Sequence, residues 1–287
     1  MIKKATNSVS KTGTTKTTKD KKNDNNLQVS KPKGVVDLKN MLAMHDFKCK
    51  TKTQKDLIIA INGKEIIISA GAAGVGKSYV SIARAIELLR SDDNKFNKII
   101  ISTPIVEADE KLGFLPGDMR EKMDPYLSSS LDIFDKLIGK TNRLKLEEIG
   151  VLEVQALAYI RGKSIDNTIL IMEEAQNMSP AQMKTLLTRI GEHSKFIISG
   201  DLDQSDKYRD YTKSGLYDAM TRHKNITDIG FVVFSDADIV RNPIIKKIIA
   251  NYPRLDATPI VVKDKKIITP IIIEEKTFKD KFLSIFK

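Results

Sequence analysis

Short runs of β-branched apolar residues recur along the middle of this chain, and segments of helical period separate them. Ile66–Ala70, Lys98–Thr103, Ile169–Met172, Phe196–Ser199 and Ile229–Phe234 read as buried strands, and Leu152–Leu157 is a further candidate. Tyr79–Arg90, Pro180–Ile190 and Arg241–Ala250 carry apolar residues at helical spacing, while 104–150 mixes loops and helices. Alternation of this kind predicts an α/β fold with a doubly wound, mainly parallel sheet.

The flanks read differently. Residues 1–33 are rich in Lys, Thr, Ser and Asn with few large apolar side chains. They bury too little surface to offset chain entropy, which predicts a disordered basic arm. Val35, Val36, Leu38, Met41, Leu42 and Phe47 offer a patch that docks on the main body, so the domain is taken as 34–250. The remainder, 251–287, is an extension: a small hairpin over 259–273 around Lys263–Lys266, then a short basic amphipathic helix at 276–287. Phe278, Phe282, Leu283 and Phe286 make that helix either a docking element for a protein partner or a stripe packed on its own domain. No internal repeat is present.

Charge sharpens this division. The formal net charge is +11, and residues 1–55 carry 14 Lys against 4 Asp and no Glu or Arg, leaving the rest close to neutral. A basic arm on a neutral domain suits an anionic polymer such as RNA or single-stranded DNA, although a solubilising tail has the same composition. Aromatic residues do not interleave the arm, so base stacking is not indicated. The single cysteine, Cys49, rules out an internal disulfide framework and a multi-cysteine zinc site, and the three histidines are scattered. No apolar run reaches the length of a membrane span and no apolar core follows Lys3 and Lys4, which predicts a cytoplasmic protein with no membrane association.

Candidate chemistry begins at Gly71-Ala72-Ala73-Gly74-Val75-Gly76-Lys77-Ser78, a G-x-x-x-x-G-K-[ST] run between an apolar strand and a helix. Glycines let the backbone curl so that successive N–H groups face phosphates, and the following helix presents its N-terminus to the same anion. Lys77 is expected to reach the β- and γ-phosphates of ATP, and Ser78 to bind Mg²⁺. Farther along, the strand Ile169–Met172 ends in Glu173-Glu174 at the sheet edge where ligands bind. By position, Glu173 holds Mg²⁺, through water, and Glu174 orients and activates the attacking water. Gln204, in the polar run Ser199–Gln204 after the next strand, is placed to contact the γ-phosphate or the water. Arg189 and Arg241 are candidate stabilisers of transition-state charge. Tyr79, just after the loop, either stacks on a base or belongs to the core.

These motifs, with Val106-Glu107-Ala108, Glu110–Asp118, Asp124–Leu127, Tyr159–Gly162, Glu174–Asn177, Gln182–Lys184, Leu187–Gly191, Gly200-Asp201-x-x-Gln204, Ser214–Leu216 and Val240–Pro243, resemble the PhoH family of ATPases over about residues 50–250. The resemblance implies a RecA-like P-loop NTPase core similar to superfamily-1 helicases, ATP hydrolysis and action on RNA. It implies that Gln54 reads the adenine edge, and it favours Arg241 as a functional arginine. It also implies a ring, so that a homohexamer with an arginine supplied by a neighbouring subunit is expected. Two departures stand out: Glu173 replaces the family's usual Asp, and Ser102-Thr103-Pro104 replaces a frequent Thr-Arg-Pro. A length of 287 residues is expected to leave no room beside the core for an attached nuclease domain.

The combined reading is Mg²⁺-dependent ATP hydrolysis coupled to binding or remodelling RNA or single-stranded DNA. An ATP-dependent protein-interaction switch without nucleic acid is the alternative. A small-molecule kinase lacks an arginine-rich lid here, and the Asn-Lys pairs at 94–95 and 97–98 lack the Asp that a guanine-reading loop needs.

Overall fold

Five-residue runs such as Ile66–Ala70 and Thr168–Met172 are apolar on both faces, and such runs are stable only where both faces of a sheet are covered. The computed structural model, which describes residues 37–45, 47–91, 95–104, 119–160, 162, 164–208, 210–240 and 244 (backbone only for 119–125), meets that requirement. Its elements run α1 (Leu38–Met41), α2 (Lys52–Gly63), β1 (Ile66–Ala70), α3 (Lys77–Arg90), β2 (Lys98–Ser102), α4 (Met119–Ile138) and α5 (Lys140–Glu148). There follow β3 (Leu152–Val154), α6 (Leu157–Ile160), β4 (Thr168–Met172), α7 (Pro180–Leu187), β5 (Lys195–Gly200), α8 (Gly215–Arg222) and β6 (Ile229–Val233).

The six strands form one sheet in the order β3-β2-β4-β5-β1-β6, and every pairing is parallel. Alternate residues feed two cores. Ile67, Ile101, Ile171 and Ile197 join α2, α3, α4 and α5 on one face, while Ile68, Leu170, Phe196 and Ile198 join α6, α7 and α8 on the other. This is a doubly wound α/β architecture. The strand order places β5 between β1, which leads into the phosphate loop, and β4, which leads into the acidic pair.

Most expected strands fall where the apolar runs put them. The candidate strand at 152–157 is shorter than expected. β3 stops at Val154, and Leu157 opens α6, because only Leu152–Val154 pairs with β2. Segment 104–150 supplies two helices, α4 and α5. α7 starts where its sequence says it should: Ser179 and Gln182 form a capping box around Pro180 at the first turn. Expectations for the N-terminal arm, Val35 and Val36, residues 106–118, the helix 241–250, the hairpin and the C-terminal helix lie outside the described residues.

Candidate functional site

The carboxyl ends of β1, β2, β4, β5 and β6 converge on one edge of the sheet, the edge at which parallel α/β sheets bind ligands. The phosphate loop leaves β1 there through Gly71. At φ +150° this residue lies so close to the chain after β6 that a Cβ would sit 2.5 Å from the Cβ of Phe234. At the far end Gly76 (φ +88°) caps α3 in the left-handed region, with no side-chain capping bond to the helix N-terminus. Three bonds hold the loop from beneath and from the side. Gly71 N donates to Gly200 O (3.2 Å), Val240 N to Gly74 O (3.2 Å), and Gln54 Nε2 to Val75 O (2.8 Å).

Lys77, the first residue of α3, curls back over the loop, and its ammonium donates to Gly71 O (2.6 Å) and Ala72 O (3.0 Å). One residue on, Ser78 Oγ donates to Glu173 Oε2 at 2.8 Å. This bond joins the two halves of the site across 95 residues of sequence. Glu173 is only 7% exposed, and its Oε1 has no hydrogen-bond partner. Burial pushes its carboxyl up to about 7, against the opposing pull of the Ser78 hydroxyl and the Lys77 ammonium and with a further push from Glu174.

Glu174 differs from its neighbour in every respect. It is exposed, and its backbone takes a left-handed conformation (φ 53°, ψ 35°) that turns the chain sharply after β4. Its Oε2 accepts a hydrogen bond from Gln176 Nε2 at 2.6 Å. Gln176, 1% exposed, uses its other end to accept from Asp201 N (3.0 Å), and its Nε2 also lies 3.4 Å from Gln204 O. The Gln176 amide therefore ties Glu174 to the segment after β5.

That segment carries Asp201, 6% exposed, whose Oδ1 accepts from Asp203 N at 3.1 Å while Oδ2 has no partner. Burial raises its carboxyl to about 6. Lys77 and the Ala73 N–H, both facing it, oppose that rise together with the Asp203 N–H, and the Asp203 charge adds to it. Gln204 follows in a short 3-10 turn, exposed, with its backbone N–H donating to Asp201 O.

The structure brings most, but not all, of the sequence-derived site residues together. Gly71, Ala72, Ala73, Gly74, Val75, Gly76, Lys77, Ser78, Glu173, Glu174 and Gln204 share the carboxyl edge. Gln54 lies against the loop but has a different occupation from the expected one. Its Oε1 accepts from Lys50 N (2.7 Å) and its Nε2 serves Val75, so in this conformation it braces the loop rather than offering its amide to a base. Tyr79 packs its ring against Phe47 (centroids 5.8 Å apart) on the α2–α3 core, the core reading of that residue. Arg189 lies elsewhere. It follows α7, its carbonyl accepts from Ile165 N ahead of β4, and it therefore sits at the amino edge. A five-residue strand, roughly 16 Å long, separates the two edges. Within one chain Arg189 is thus not part of this site. Arg241 lies outside the described residues.

Two residues of the site were not singled out from sequence. Gln176 lies two positions after Glu174, and its role appears only once both amide ends find partners from separate strands. Asp201 carries a readable signal, an acid immediately after a buried strand at the ligand edge, but Gly-Asp is also a common turn pair.

Ser78 and Glu173 fit a Mg²⁺ ion: a hydroxyl and a buried carboxylate with one unpartnered oxygen stand side by side next to the phosphate loop. Among the described residues no group of three or more His, Cys, Asp or Glu forms a protein-only metal cage.

Comparison with known proteins agrees in extent with the sequence resemblance. The family model described as PhoH-like protein matches residues 46–253. A PhoH-like protein of Bacillus subtilis is 41% identical over 207 residues, covering 72% of this chain and 64% of the relative. One from Synechocystis is 39% identical over 211 residues, covering 74% and 63%. Protein PhoH of Escherichia coli K12 is 38% identical over 205 residues, covering 71% and 57%. The match accordingly spans less than two thirds of the length of each of these relatives. Among solved structures, the UvsW helicase of bacteriophage T4 is a distant likeness, with a TM-score of 0.37 at 14% identity over 64% of this chain and 59% of that one. The large terminase of a thermophilic bacteriophage, in complex with ADP, is another, with a TM-score of 0.39 at 11% identity over 69% and 49%.

Proposed function

This chain belongs to the PhoH-like protein family, and from its site we propose that it binds ATP with Mg²⁺ and hydrolyses the terminal phosphate. The observation that carries the reading is the 2.8 Å bond from Ser78 to the buried, half-satisfied Glu173, directly beside Lys77 and the phosphate loop. The loop N–H groups and the α3 N-terminus cradle the phosphates, and Lys77 exchanges its carbonyl partners for the β- and γ-oxygens. Ser78 and Glu173 hold the cation, which when bound neutralises charge on those oxygens. Glu174, kept in place by Gln176, takes a proton from the attacking water. Gln204, in the turn behind Gln176, follows the terminal phosphate in this reading.

Coupling to RNA or single-stranded DNA is the further part of the reading. The concentration of positive charge in residues 1–55 supports it, because such a segment binds phosphates by releasing counterions. A ring of copies belongs to the same reading. Arg189, at the amino edge, would then stabilise the transition state of a neighbouring copy rather than of its own.

The test is ATP turnover with Mg²⁺, with and without RNA or single-stranded DNA, for the native chain and for Lys77→Ala. Turnover that nucleic acid stimulates, and that Lys77→Ala lowers about 10²-fold or more, is expected, because removal of one positioned charge from developing phosphate charge has effects of that order. Equal turnover in the two chains sinks the assignment. A flat response to nucleic acid favours the protein-interaction switch.

A further inference from the structure

β5 separates the phosphate-loop strand from the strand of the acidic pair, so whatever stands at its carboxyl end faces both. Ala70 pairs with Gly200 in register, and Gly71 N donates to Gly200 O, so the next residue, Asp201, is pinned against the loop. Its carboxylate is the group so pinned. It is nearly fully buried, one oxygen caps the Asp203 N–H, and the other makes no hydrogen bond of good geometry, with the Ala73 N–H and Lys77 both drawing on the group's charge. A buried carboxylate with an unpartnered oxygen costs free energy that a purely structural turn has no reason to bear. Asn, Ser or Thr at this position would make the same cap without charge.

We propose that Asp201 is a built-in counter-anion of the phosphate loop, taking the attraction of Lys77 and the Ala73 N–H that an arriving nucleotide phosphate must take over. This rests on the phosphate-loop reading above and adds a property to it: Asp201 weakens nucleotide binding and so limits how long a phosphate stays. Phosphate and carboxylate compete for one ammonium, so the chain holds its nucleotide less tightly than loop geometry alone allows. The charged groups that face Asp201 are Lys77 from α3 and Asp203 from its own turn. The Ala73 N–H and the Gln176 amide complete its surroundings. Its raised carboxyl, at about 6, agrees with an acid that gives up its charge readily when a second anion comes near.

The experiment is calorimetric titration of ADP without Mg²⁺, which isolates phosphate recognition from hydrolysis. Asp201→Asn keeps the size and the cap, and should bind ADP on the order of tenfold more tightly, the scale of removing one nearby like charge. Asp201→Glu keeps the charge and should show no such gain. A structural role alone predicts the reverse, since loosening the turn would weaken binding in both variants.

A second arm keeps the idea testable should Asp201→Asn not fold. In a Glu173→Gln chain, where that carboxyl no longer titrates, ADP should bind more tightly as pH falls from 8 to 6. ADP loses charge itself over that range, which by itself predicts weaker binding. Unchanged or weaker binding by folded Asp201→Asn overturns the counter-anion while leaving the phosphate loop intact, as does weaker binding toward pH 6 in the second arm. If the native chain binds no ADP with or without Mg²⁺, the phosphate-loop reading fails and the counter-anion fails with it.

Discussion

The two edges of the sheet treat buried polar groups in opposite ways. At the amino edge polar groups are paired off. Ser194 Oγ accepts from Thr168 N (3.1 Å) and donates to Ile165 O (2.7 Å), and the Lys195 ammonium donates to Lys64 O. At the carboxyl edge Ser102 Oγ, Glu173 Oε1 and Asp201 Oδ2 are buried with no hydrogen-bond partner. Arg189 Nε is the exception at the amino edge. The cavity of about 710 Å³ at the amino edge, lined by Ile66, Met183, Leu187 and Ile229 among others, is largely apolar, and none of the phosphate-loop residues lines it. Satisfied groups specify a fold, whereas unsatisfied groups mark where a protein has given up stability for a ligand.

The contrast breaks most visibly at Glu174. Glu174→Gln should retain ATP binding and lose turnover by about 10²–10⁴-fold, the usual contribution of a positioned base, as read in a single-turnover assay. If turnover survives there and disappears in Glu173→Gln with binding intact, the roles of the two carboxylates are exchanged.

Next in size is stability against pH. The Glu173 carboxyl is raised from about 4.5 to about 7 in the folded chain. The stability it contributes is therefore present below the unfolded value and lost as pH rises through about 7. In chelator at pH 8, Glu173→Gln should melt higher than the native chain, by about 5 °C for roughly 2 kcal/mol, with the gap closing at pH 5. A constant gap across that range would mean that the buried carboxylate is not the cause.

The smallest effect tests the other edge. Ser194→Ala removes the partner of a buried Thr168 N–H, and should cost about 1–3 kcal/mol in denaturant unfolding while leaving ADP affinity unchanged. A loss of nucleotide affinity there would blur the distinction between the edges.

Much of this was legible in the sequence, and what was not has physical causes. Apolar runs at β1, β4 and β5 announce strands because parallel strands are buried on both faces. The phosphate loop is local, eight consecutive residues whose geometry is encoded by their own glycines. α2 and α8 went unassigned as helices. α2 buries Thr53 and Gln54 alongside Leu57 and Ile61, so its buried face is half polar, while α8 is only eight residues long and fills half of its buried stripe with the small Gly215 and Ala219. The part of the site that sequence did not yield consists of contacts between distant residues. Gln54 bonds the chain 21 residues away, and Gln176 reaches Asp201 across 25. Which end of an amide finds which partner depends on strand order, and one chain's residue pattern does not state that order.

Strand order also sets a timetable. β1 pairs only with β5 and β6, so Ile66 finds its partners at Phe196 and Ile229. A ribosome adding roughly 5–20 residues per second needs on the order of ten seconds or more to travel from the first of these residues to the last. Until β5 is made the strand preceding the phosphate loop has neither neighbour, and until β6 is made it has only one. Nucleotide cannot assist its early folding, since the loop has no floor until Gly200 and no wall until Phe234. A nascent chain arrested before β6 should therefore fail to retain ATP, and the capacity to bind should arrive late and all at once.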